Sequence, residues 1–215
     1  MFTYLGLPPL PKLNENMIDG KRFYVTEDGI NLPSVTTILS HQPKPQLEIW
    51  KKKVGEEKSN QIRDHSAARG HSLHATIEQY LNNQPVKETE MFHDLKPYLN
   101  KIYAIHYLEA QLFSKEIGLA GRADCIASYD GVLSIVDFKD ARKRRTKEMI
   151  HTYFIQVCAY AGLYEAMTGI KINQGVILMA VENLEPQIFV FDTRKYVPDL
   201  IEAIKIYKKA VDNVS

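Results

Sequence analysis

From Arg22 onward the chain switches between two apolar periods, and the switches mark its elements. RFYV ahead of TEDGI predicts a short strand running into an Asp-Gly turn. LPSVTTILS then predicts a helix opened by Ser34 as N-cap, with Pro43 and Pro45 ending it. From Gln46 to Asn82 the period is helical: Trp50 and Val54 stand four apart, and Leu73, Ile77, Tyr80 and Leu81 share a later face. Gly70 predicts a break between two helices there. A further helix is predicted from Met91 to about Tyr103.

HYLEAQLFS, LAGRADCIASY and VLSIVDF read as three consecutive strands, with Asp130 and Gly131 turning between the last two. Lys147 to Thr168 predicts a long amphipathic helix in which Tyr153, Val157, Tyr160 and Tyr164 recur at helical spacing, stopped by Gly169. GVILMAV and QIFVFD predict two more strands, and Val197 to Val211 a closing helix. The opening stretch, with Pro8, Pro9 and Pro11, predicts an extended arm. This order implies an α/β fold: a mixed sheet flanked by helices, with N-terminal helical elements. One domain over 1–215 is expected: an arm over 1–20, a strand-turn and helical region over 21–103, a sheet and helix bearing the chemistry over 104–192, and a C-terminal helix over 193–215.

The composition, 45% hydrophobic and 25% charged over 215 residues, is that of a globular protein. A formal net charge of +1 leaves any affinity for polyanions to local charge. Cys125 and Cys158 are too few for a disulfide framework or a four-thiolate zinc or iron-sulfur site, which fits a reducing, intracellular setting. The N-terminus lacks a basic start followed by an apolar run, and no stretch approaches the roughly 18 apolar residues that cross a bilayer. Neither a secretory signal nor a membrane span is expected.

The candidate chemistry lies in GRADCIASYDGVLSIVDFKDA, residues 121 to 141. Period-two geometry puts Asp137 and Lys139 on one strand face, and the hairpin through Asp130 and Gly131 brings Asp124 of the preceding strand toward Asp137. Converging carboxylates repel, and a hard divalent cation such as magnesium relieves that repulsion by taking oxygen ligands while leaving room for water and phosphate. A neighbouring lysine can orient that water or steady developing negative charge, so the arrangement suits phosphodiester hydrolysis. The bland alternative is an exposed acid-base pair at a strand end. Asp124 on the adjoining strand tips the balance toward a site.

GRAD, then IVDFK, then QVCAY resembles the PD-(D/E)XK nuclease superfamily in its RecB-like exonuclease branch. RGHSLHATIEQYL resembles that branch's upstream histidine motif, with His74 at the matching position. LPSVTTIL and the later Trp50 are similar to the mitochondrial genome maintenance exonucleases and related phage exonucleases. The resemblance runs from Arg22 to about Val190. It implies Asp124 and Asp137 as metal ligands with the Phe138 carbonyl facing the metal, Lys139 as the catalytic lysine and His74 completing the metal environment. Glu109 stands where related nucleases carry an acid one strand earlier, as a further ligand or an ordinary strand-edge carboxylate. Gln156 and Tyr160 match the branch's glutamine-x-x-x-tyrosine element, which implies a hold on the phosphate backbone or support for the lysine. Asp140 departs from the pattern, since a small hydroxyl residue commonly follows the lysine.

KDARKRRTK, residues 139 to 147, sets six basic residues against one acid just beyond these groups. Arg142, Lys143, Arg144, Arg145 and Lys147 are therefore expected to guide nucleic acid without reading its sequence. Lys51, Lys52 and Lys53 beside Trp50, with Arg63 and Arg69, form a second basic set for a wall over the centre. The resemblance implies a Mg2+- or Mn2+-dependent DNA exonuclease that prefers single-stranded ends, leaves 5′-phosphate and 3′-hydroxyl termini, and serves DNA replication, recombination or repair. A phage source would put it in the host cytoplasm. A structure-selective endonuclease and a catalytically silent DNA-binding module are the alternatives.

Overall fold

The computed structural model describes residues 1–43 and 45–213, with the side chains of 45–47 outside the description. The expected C-terminal segment is therefore described as far as Asn213, and Pro45 as a helix terminator lies outside the described side chains. The arm is extended, Tyr4 bridging to Ile105, before it becomes strand β1 (Asn14–Ile18). β1 pairs with β2 (Lys21–Val25) across a turn at Asp19 and Gly20, both at positive φ, and β3 (Asn31–Pro33) completes a small antiparallel sheet. NENMI is exposed throughout, so β1 carries no apolar period to announce it.

Ser34 caps α1 (Val35–Ser40) as expected, its hydroxyl accepting from the Thr37 amide at 3.0 Å. The following helical region corrects the expectation at Gly70. The break falls at Gly55, whose φ of 88° suits glycine, between α2 (Pro45–Val54) and α3 (Glu56–Leu81). α3 runs through Gly70 without interruption. α4 (Glu90–Leu99) stops four residues before Tyr103, because Ile102 is already buried as the first residue of β4 (Ile102–Ser114).

β4, β5 (Leu119–Tyr129), β6 (Val132–Ala141), β7 (Gln174–Val181) and β8 (Leu184–Asp192) form a five-stranded sheet in sequence order. All pairings are antiparallel except β6 with β7, and that parallel step needs a crossover, supplied by α5 (His151–Thr168). α5 begins four residues after Lys147, since 147–150 are turns. It is not amphipathic: residues 154–161, Leu163 and Tyr164 are buried, because the sheet covers one side and α1 and α6 (Val197–Asp212) the other. Gly169 stops it at φ 73°, as predicted.

The result is a mixed sheet with α1, α5 and α6 on one face and α3 and α4 on the other, the α/β architecture expected. β6 is buried on both faces. It turns Asp137 and Lys139 toward α5, and Phe138 toward α3, where the Phe138 ring meets His74 edge-on. Packing against α5 is tight at Gly175, where an added Cβ would lie 2.5 Å from Phe191 Cζ and 2.7 Å from Val157 Cγ1. A Gly175→Ala variant should lose about 1–3 kcal/mol. A melting temperature unchanged from the parent chain would contradict that packing.

Candidate active site

The β5–β6 ladder is regular from Tyr129 opposite Val132 to Cys125 opposite Val136. Beyond it the two strands part, and β6 continues with β7 alone to Ala141 opposite Val181. Asp124 and Asp137 stand at this fork. The Phe138 amide, lacking a strand partner there, donates to Asp124 Oδ2 at 2.9 Å, so β6 itself orients the carboxylate. On the other side of β5, Leu108 faces Cys125 and Ala110 faces Ala123, which sets Glu109 across from Asp124. Glu109 adopts φ 49°, a left-handed conformation that a non-glycine residue holds only at a cost.

α3 brings His74 over the fork, its Nδ1 3.8 Å from Asp124 Oδ2. One ligand atom each from His74, Glu109 and Asp124 lies within 4.8 Å of the other two. These three residues line one cleft of about 620 Å³ together with Lys139, Gln156 and Tyr160. Burial, and next the Asp124 charge, push the Glu109 carboxyl up to about 7, while Arg122 pulls the other way from 2.9 Å.

Asp137 stands outside that trio and is 0% exposed. Its Oδ2 lies 2.5 Å from the Lys139 ammonium, and its Oδ1 accepts from the Gln156 amide at 3.2 Å. The same amide nitrogen donates to the Tyr160 hydroxyl at 3.1 Å. Burial raises the Asp137 pKa against the pull of Lys139. Burial alone would lower Lys139, but Asp137 and Asp124 outweigh it and hold the ammonium charged. Lys139 also lies 5.1 Å over the Tyr153 ring and 3.4 Å from the Phe138 carbonyl, so that carbonyl faces the lysine. Gln156 and Tyr160 are both buried and form the back wall behind Asp137.

The basic loop from Arg142 to Lys147 is exposed, anchored where the Arg145 amide donates to Gln187 Oε1 at 2.7 Å and pairing Arg142 with Glu182 at 3.5 Å. Among the described residues the cleft is walled by α3, and Lys51, Lys52 and Lys53 of α2 do not border it. Arg63 turns to its neighbour Asp64, at 3.1 Å. Two contacts escaped the sequence reading. Arg122 lies inside the GRAD motif and pairs with Glu109; its position beside Asp124 was the available signal. Arg69 pairs with Asp140 at 2.6 Å over 71 positions of sequence, which no local pattern announces.

Such a sheet, forked around carboxylates with a lysine two residues on and helices on both faces, matches the α/β core that the resemblance to PD-(D/E)XK nucleases implies. Over part of its length the chain is similar to mitochondrial genome maintenance exonuclease 1. It is 25% identical to the mouse protein over 176 residues, 73% of this chain and 52% of that one. To the Xenopus tropicalis protein it is 27% identical over 175 residues, 72% and 50% of the two chains. The chain thus spans about half the length of the curated relatives it matches. A crystal structure of a candidate exonuclease from Eubacterium rectale superposes with a TM-score of 0.43 at 18% identity, covering 69% of this chain and 65% of that one. No family model matches the chain. No helix among the described residues is long and apolar enough to cross a membrane.

Proposed function

We propose that the chain is a single nuclease domain: a metal-dependent DNA exonuclease that hydrolyses phosphodiester bonds and prefers single-stranded ends. The observation that carries this reading is the trio of His74, Glu109 and Asp124 beside the buried Asp137–Lys139 pair. The trio fits a hard divalent cation, Mg2+ or Mn2+, because it offers two carboxylates and an imidazole at ligand spacing and holds one carboxyl against its burial. Asp124, Glu109 and His74 would hold that ion, with Asp137 and the Phe138 carbonyl adjoining. When bound, it would polarise the phosphate and make water a better nucleophile.

The rest falls to the chain's own residues. Asp137 fixes the Lys139 ammonium at the cleft, where it orients the attacking water and offsets negative charge gathering on the phosphate. Gln156 and Tyr160 keep Asp137 in place from behind and present their edges to a bound backbone. Arg142, Lys143, Arg144, Arg145 and Lys147 supply a local positive field for phosphates. DNA as substrate, and a place in DNA replication, recombination or repair, follow from the genome maintenance exonucleases the chain resembles. For a phage source the setting would be the host cytoplasm.

The test is end-labelled linear single-stranded DNA incubated with Mg2+, with Mn2+ and with chelator. Progressive shortening with either metal and none in chelator is expected. Equal digestion in all three would sink the reading.

A further inference from the structure

Asp140, where the chain departs from the RecB-like pattern, joins the sheet to α3. It sits near the end of β6, and Arg69 of α3 reaches down to it with Nε 2.6 Å from Oδ2. The two side chains are only 15% and 24% exposed. Gly70 makes room for the contact, since a Cβ there would stand 2.9 Å from Asp140 Oδ1. A side chain at 70 would require the Asp140 carboxylate to shift away from its place beside Arg69.

Little else holds this part of α3 down. After Ser59 the helix buries no residue until Leu73, so an uncovered stretch of the roof is tied to the floor by a charged pair. Arg69 also approaches Glu182 to 3.9 Å, and Glu182 in turn meets Arg142.

The pair stands between two cavities. On one side is the cleft with the carboxylates, bordered by Ser66, Gly70 and Asp140. On the other is a cavity of about 450 Å³ bordered by Ser66, Lys58, His65, Arg69 and Arg142, with Glu182 as its acid. Ser66 borders both, so the two spaces adjoin, with Asp140 on the wall of the first and Arg69 on the wall of the second.

We infer that the Arg69–Asp140 strut is an end stop: it closes the cleft on the side of the basic cavity, so that a strand is admitted by its end rather than along its length. The inference rests on the exonuclease reading and supplies its specificity determinant. A groove open at both sides lets an internal phosphodiester lie over the carboxylates with strand leaving in both directions. A groove stopped at one side admits only a bond close to a terminus. Removing the strut would join the two cavities into a through-groove leading to Arg142 and the basic loop.

The experiment compares closed circular with linear single-stranded DNA of one sequence, under Mg2+ or Mn2+, for the parent chain, Arg69→Ala and Asp140→Ser. Serine is smaller than aspartate and leaves the Gly70 contact uncrowded, so the second variant guards against misfolding in the first. The parent chain should degrade the linear strand and leave circles intact. Both variants should cut circles, raising the circle-to-linear rate ratio by about tenfold or more. Circles cut by the parent chain as readily as linear strands, or an unchanged ratio in whichever variant folds, overturn the end stop and leave the nuclease reading standing. Failure of the parent chain to digest even the linear strand overturns both.

Discussion

Replacing Lys139 with alanine should reduce phosphodiester hydrolysis by about a hundred- to ten-thousandfold, the usual worth of a positioned proton-handling or charge-stabilising group. The ammonium is held by Asp137 at 2.5 Å and faced by the Tyr153 ring, with only 17% of the side chain exposed, while the arginines that also border the cleft, Arg22 and Arg122, pair with Glu15 and Glu109. A second effect goes with the first. Asp137 is fully buried, and deleting its counterion leaves a charge that burial already disfavours. Breaking such a pair costs about 3–5 kcal/mol where both partners are dry, and less here because Lys139 borders the cleft. Single-turnover cleavage and a thermal melt separate the two effects. Lys139→Met, which keeps the aliphatic stem over Tyr153, should recover part of the stability and none of the rate. If Lys139→Met cleaves at the parent rate, the lysine has no chemical role.

The heart of the site was legible because a tight hairpin has a countable register. With Asp130 and Gly131 in the turn, pairing Tyr129 to Val132 and counting back brings Asp124 level with Asp137, and the period of two sets Lys139 beside it. What could not be read depends on departures from regular geometry. The alternation along β4 does not say that Glu109 turns at φ 49° to face Asp124 and Arg122. Gln156 and Tyr160 were visible as an i, i+4 pair, but that their polar ends point at Asp137 follows from how α5 crosses the sheet. Glycine disfavours a helix interior, so Gly70 on sequence alone predicts a break. Its reason for being there, the approach of Asp140, comes from a residue 70 positions away. β1 went unread because an exposed polar strand has no apolar pattern, only a pairing partner.

Asp124→Asn isolates charge from shape, and it should separate stability from activity in opposite directions. Asparagine keeps an oxygen that accepts from the Phe138 amide, so the fork between β5 and β6 should persist. The lost charge is the one that stands beside Glu109, adds to the upward push on its carboxyl, and does the same to Asp137. In metal-free protein Arg122 and Lys139 relieve these carboxylates only in part, so the variant should melt no lower than the parent chain and, by the usual worth of a relieved like-charge contact, about 1 kcal/mol higher. Divalent cation binding should move the other way. The Mn2+-induced rise in melting temperature expected of the parent chain should be largely lost, because a ligand that binds only the folded state stabilises in proportion to its affinity. Hydrolysis should fall with it, by about a thousandfold or more, since both the positioning and the charge stabilisation at the reacting phosphate depend on that ligand set. A variant that keeps the full Mn2+ shift would remove Asp124 from the metal site, and one that melts well below the parent chain would make its carboxylate a structural group instead.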